Sequence, residues 1–175
     1  MRGGAVAAVL VVAGLVTGCT TTVTGSAQPV PGRVTVAPAD STDPCALLTT
    51  DEAAQLGLAG PGTPKPADRS ARVPASCEWR SPDPDASLDD SVQLFYSTDL
   101  NIGEYFSQQA TAQEQFGGVS WGNYPSLLGD VMCNLAVSLS DTSFVAISSQ
   151  NFTEPTKACD YARKAAPIVA THLPR

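Results

Sequence analysis

From Ala5 to Val16 nearly every residue is apolar, and none is charged. From Thr20 to Thr42 the chain turns to Thr, Val, Pro and Ala, with neither a helical nor a sustained strand period. Only from Asp43 onward do apolar positions recur at spacings that a folded domain uses. Thr49-Thr50-Asp51-Glu52 has the character of a capped helix start, with acids in the first turn. It predicts a short helix to about Leu56 that Gly57 stops. Residues 60–75 hold four prolines and read as a loop. Cys77–Arg80 and Ser91–Tyr96 read as strands rich in β-prone residues. Ile102, Tyr105, Phe106 and Ala110 share one face of a helix expected from Ile102 to about Gln115. Gly117 to Gly129 reads as a glycine-containing loop through Trp121 and Tyr124. Met132–Leu139 alternates with Leu135, Val137 and Leu139 on one face, turns at Ser140–Ser143, and returns over Phe144–Ser149. A last helix is expected from Pro155 to His172, with Ala158, Tyr161, Ala162, Ala165 and Val169 as its apolar stripe.

This order predicts an α+β domain over residues 43–175, an antiparallel sheet with helices packed mainly on one face. The cysteines sharpen it. Setting Cys19 aside leaves Cys45, Cys77, Cys133 and Cys159, an even set that points to two disulfides with three possible connectivities. The Met132–Ser149 hairpin narrows the choice. Its second strand ends beside Cys133, and Cys159 follows in the first turns of the next helix. The short-range bridge Cys133–Cys159 is therefore expected, leaving Cys45–Cys77. Each closes a loop that the chain-entropy argument values at about 3–4 kcal/mol. No C-x-x-C pair exists and His172 is the sole histidine, which argues against a zinc or thioredoxin-like site and for no cofactor.

The N-terminal segment adds an address. Twelve apolar residues make about 18 Å of helix, too short for a ~30 Å hydrocarbon core but suited to an export signal. The run ends in Leu15-Val16-Thr17-Gly18-Cys19, which resembles the bacterial lipobox. Residues 1–18 are thus expected to be a signal peptide cleaved before Cys19. The Cys19 thiol would take a diacylglyceryl group, and two acyl chains at about 0.8 kcal/mol per buried CH₂ anchor durably where one does not. Residues 19–42 then form a disordered tether, too poor in apolar area to offset its own ordering entropy. The expected location is the outer face of the cytoplasmic membrane.

Charge removes other options. Seventeen acids against ten bases give −7, with no Lys/Arg cluster. That argues against nucleic acid and against a polybasic lipid-binding patch. Asp83, Asp85, Asp89 and Asp90 lack the EF-hand spacing and read as a solvated loop. His172 falls where a helix C-terminus favours a cation, a capping rather than a catalytic place. Trp79 is expected to pack on the disulfide core. Asn151-Phe152-Thr153 matches a glycosylation pattern that the bacterial export signal makes incidental. Trp121 and Tyr124, gathered on the expected glycine loop, are the candidate binding residues.

Asp43-Pro44-Cys45-Ala46-Leu47-Leu48-Thr49, Cys77-Glu78-Trp79, Leu128-Gly129-Asp130 and a terminal Cys-bearing, Ala-rich helix together resemble the actinobacterial lipoproteins of domain of unknown function 3558. The resemblance implies a cell-envelope lipoprotein with no activity to carry over, and an envelope or secretion-system protein as partner. The sequence thus leads to a non-enzymatic binding or interaction domain held to the membrane by its lipid. The alternatives are an envelope hydrolase acting on glycan through paired carboxylates, and a carrier of a small hydrophobic ligand.

Overall fold

The computed structural model describes residues 43–83, 89 and 91–174. The signal segment, Cys19, the tether, Asp85 and Asp90 lie outside them.

Seven antiparallel strands form one sheet: β1 (Thr63–Lys65), β2 (Ala75–Arg80), β3 (Ser91–Ser97), β4 (Ala112–Phe116), β5 (Val119–Tyr124), β6 (Met132–Ser140) and β7 (Ser143–Gln150). Their spatial order is β1-β2-β3-β7-β6-β5-β4. Among the described residues, three α-helices accompany them: α1 (Thr50–Gln55), α2 (Ile102–Phe106) and α3 (Asp160–His172). Both disulfides pair as expected, Cys45 with Cys77 and Cys133 with Cys159.

Side chains alternate between the two faces of a strand, and here each face has its own core. One face carries Cys77, Trp79, Val92, Leu94, Trp121, Cys133, Leu135, Val145 and Ile147, packed with Leu47, Leu48, Ala53 and the Ala162, Ala165, Ala166 and Val169 stripe of α3. The other carries Phe95, Ala136, Phe144 and Ala146 beneath Ile102, Tyr105 and Phe106 of α2. The helices are therefore divided: α1 and α3 lie with the larger core, α2 with the smaller.

Local chemistry explains the helix ends. Thr49 and Glu52 form a reciprocal capping box on α1, and Asn101 and Glu104 form another on α2. The helix expected over Ile102–Gln115 stops after one turn, at Ser107 in the left-handed region (φ 55°). Ala112–Phe116 instead pairs with β5. Their turn is Gly117-Gly118, with φ of 59° and 76°, the positive values that a tight hairpin requires. Gly117 also sits against α3, where an added Cβ would meet that of Ala170 at 2.6 Å. The expected proline-rich loop contains β1, a three-residue edge strand; an edge position tolerates Pro64. The expected last helix is divided too, a 3-10 turn at Pro155–Lys157 preceding α3. The Ser149 hydroxyl stitches that junction, donating to the Ala158 carbonyl and accepting from the Ala162 N–H.

Candidate functional site

The face that carries α2 is only partly covered. Residues in register across adjacent strands make rows on it. One row runs Phe95, Ala146, Ala136, Gly122 from β3 to β5. Its small members leave room for α2, whose Tyr105 and Phe106 pack over them. Tyr105 meets Phe144 at 5.2 Å and Phe106 stacks on Tyr124 at 4.6 Å between ring centroids. The neighbouring row runs Glu78, Gln93, Ser148, Asn134, Tyr124 across five strands and is mostly polar.

Open clefts flank α2. The first, about 590 Å³, has Gln93, Ser148 and Asn134 as its floor. Phe95, Tyr105 and Phe106 make an aromatic wall, and Ser107, Pro125, Leu127 and Met132 belong to its rim. Among the described residues, no charged side chain lines it. The Ser148 hydroxyl donates to Asn134 Oδ1 at 2.6 Å, Asn134 Nδ2 donates to the Tyr124 carbonyl at 3.4 Å, and Gln93 Nε2 donates to Ser76 Oγ at 2.8 Å. These bonds fix the floor side chains in place while leaving further hydrogen-bonding capacity for a ligand. Burial raises the Tyr105 phenol above its ordinary value, so it remains a neutral donor. The second cleft, about 620 Å³, lies at the other end of α2, among Asn101, Gln113, Ser120, Tyr124, Ser138 and Asp141. It is shallower in chemistry, with Tyr124 as its single aromatic ring.

Among the described residues, neither cleft brings two carboxylates together. Glu78 stands at the end of the polar row, bound by Lys65 at 2.6 Å and Arg80 at 2.7 Å. Burial pushes its carboxyl up, but these two cations outweigh burial and hold it below the ordinary range. Among the described residues no cluster of His, Cys, Asp or Glu is arranged to hold a metal ion.

The sequence-derived candidates are distributed differently. Trp121 is not on a loop: it lies in β5, fully buried in the larger core, because the β4–β5 hairpin turns its face inward. Tyr124 ends the same strand on the opposite face and contributes to the second cleft. Trp79 packs in the core as expected, 1 % exposed. Its indole N–H and that of Trp121 are buried without a hydrogen-bond partner among the described residues. His172 is the basic residue in the last turn of α3, the place expected of it, and its Nε2 also meets Glu52 Oε1 at 2.8 Å, clasping the end of α3 to α1. Of the acidic run, Asp89 is buried rather than solvated. It accepts from the N–H groups of Phe152 and Thr153 and from the Thr153 hydroxyl.

The residues of the first cleft were not singled out from sequence, because they come from β3, α2, β6, β7 and the loop after β5. No local spacing joins them. No curated protein and no solved structure matches the chain. Residues 14–172, however, match the family described as protein of unknown function (DUF3558), and the match spans both disulfides, the whole sheet and the segment ending in Cys19. The chain belongs to that family.

Proposed function

We propose that this protein is an exported, lipid-anchored binding domain of the cell envelope, non-enzymatic, that engages its ligand on the α2 face. The observation that carries the binding part is the uncharged cleft beside α2, with an aromatic wall and an amide-and-hydroxyl floor. Its volume falls in the range of ligand sites, about 300–1,000 Å³. Its polar floor groups are held by hydrogen bonds to one another, to Ser76 and to the Tyr124 carbonyl, so they are ordered before a ligand arrives. Among the described residues neither large cleft pairs two carboxylates, the arrangement that glycan hydrolysis uses. A carrier of a buried apolar ligand would call for an enclosed cavity, whereas the α3 stripe packs Ala162, Ala165, Ala166 and Val169 at 0 % exposure against the sheet.

The anchor rests on Leu15-Val16-Thr17-Gly18-Cys19, and the family match begins at residue 14, just before that motif. An acidic chain of net charge −7 has little electrostatic attraction to anionic lipid, so attachment falls to Cys19. The test is expression of the full chain and of Cys19→Ala in an actinobacterial host, followed by fractionation and intact-mass analysis. The wild-type chain is expected in the membrane fraction, beginning at a diacylglyceryl-modified Cys19. The Cys19→Ala chain is expected to leave it. A Cys19→Ala chain that stays membrane-bound after export and signal cleavage would refute the anchor.

A further inference from the structure

The cleft does not end at its rim. Leu127, which lines it, is 98 % exposed, and the adjacent Leu128 is 55 % exposed. Phe152, 50 % exposed, lies on the chain leaving β7, at the same end of the sheet. The two loops are tied there: the Asn151 N–H donates to the Val131 carbonyl at 2.8 Å. Of the four large apolar side chains most exposed among the described residues, three are thus gathered at this end; the fourth is Val73. Ser107, also on the cleft, holds a left-handed φ of 55°, a conformation that a residue with a Cβ adopts at a cost.

Resting on the binding-domain reading, we infer that the cleft and its apolar rim receive an extended, apolar segment of a partner protein with basic residues flanking it. An extended segment presents apolar side chains and backbone amides in alternation. The aromatic wall of Phe95, Tyr105 and Phe106 matches the first, and the floor of Gln93, Ser148 and Asn134 the second. A small ligand filling the cleft would leave Leu128 and Phe152 uncovered, whereas a segment running out over the rim covers them. The partner's charge follows from the surroundings. The cleft itself is neutral, but exposed Asp130 follows directly after Leu128-Gly129, and the chain as a whole is acidic by seven charges. That field attracts Lys or Arg beside the apolar segment and repels an anionic bilayer surface.

The test uses full-length Cys19→Ala protein, which has no lipid of its own, with and without Leu127→Ser or Gln93→Glu. It is applied to immobilised nonapeptides with Leu/Val/Phe centres and Lys, Ser or Glu flanks, to neutral oligosaccharides and acyl amides, and to phosphatidylglycerol vesicles. Lys-flanked apolar peptides are expected to bind most tightly. Leu127→Ser is expected to weaken them about tenfold, the loss of one buried leucine contact, without altering thermal unfolding. Equal binding of Glu-flanked peptides, or indifference to Leu127→Ser, would overturn the inference. So would Leu127-dependent binding to the vesicles, which would make the rim a membrane contact. Binding of oligosaccharide or acyl amide in place of peptide, weakened by Gln93→Glu, would overturn the peptide inference and leave the binding-domain reading standing. Binding to no probe of any class would remove both.

Discussion

Asp89 offers the sharpest test of how this domain is held together. The residue is 6 % exposed, and its carboxylate reaches across 63 residues of sequence to the chain beyond β7. One oxygen accepts from the Phe152 N–H; the other accepts from the Thr153 N–H at 3.3 Å and the Thr153 hydroxyl at 2.7 Å. Hydrogen bonds to a charged group contribute about 1.5–3 kcal/mol each, and a shared acceptor makes them less than additive. Asp89→Ala removes both acceptor oxygens from these three partly buried donors, so a loss of about 3 kcal/mol is expected. For a domain of roughly 130 residues, at ~2.1 cal/mol/K of unfolding entropy per residue, this lowers Tm by about 11 °C. Asp89→Asn keeps one carbonyl acceptor but turns an amide toward donors, and should fall by about half as much. Asp130→Asn, at an exposed position, should stay within about 0.5 kcal/mol. Calorimetry gives the Tm values, and hydrogen exchange at the Phe152 and Thr153 amides locates the loss. A Tm change under about 2 °C for Asp89→Ala, or unchanged protection at those amides, would refute the assignment of Asp89 as a structural tie.

Two further outcomes follow from geometry already described. Gly117→Ala should destabilise by about 2–3 kcal/mol, since the new Cβ adds a 2.6 Å clash with Ala170 to the strain of a positive φ; Gly118→Ala, with φ 76° and nothing within 4 Å, should cost only about 1 kcal/mol, and urea midpoints of the pair distinguish them. Burial pushes the Glu52 carboxyl up, but hydrogen bonds from His172 and from the Thr49 N–H and hydroxyl outweigh it and hold the group below its ordinary 4.5. The ionised clasp therefore contributes fully above that ordinary value and is lost as pH falls through the lower, folded one; the stability gap between wild type and Glu52→Gln should shrink over that acid range, and a gap that widens on acidification would contradict the clasp.

Much of this fold was legible where local and tertiary preferences agree. The β6–β7 hairpin alternates cleanly, α1 announces its capping box, and the alanine stripe of α3 marks the face that is buried. The hairpin even selected the disulfide pairing, because strand return places Cys133 near the start of the next helix. Legibility failed where strand pairing overrode local propensity. Ala112-Gln113-Glu114-Gln115 are good helix formers, yet they form β4 against β5. The available signal was Gly117-Gly118 between two β-prone runs, which reads equally as a hairpin turn. Missing that turn also misplaced Trp121, since pairing with β4 is what fixes its direction. Asp89 was hidden among neighbouring acids, because nothing in an acidic run marks the one member whose donors lie 63 residues away. The cleft was hidden for the same reason: register across three strands, rather than spacing along one, assembles its floor.

The Cys45–Cys77 bond has a mechanical meaning. A pull on the chain ahead of Asp43 meets a covalent cross-link at Cys45, two residues further on, before it reaches Leu47 or Leu48 in the core. Tension then passes into β2, which is hydrogen-bonded on both sides to β1 and β3. The load enters through the large-core face, while α2 and the open cleft lie on the other, outside the load path. Under the proposed anchor, tension on the chain would then leave the open face undistorted.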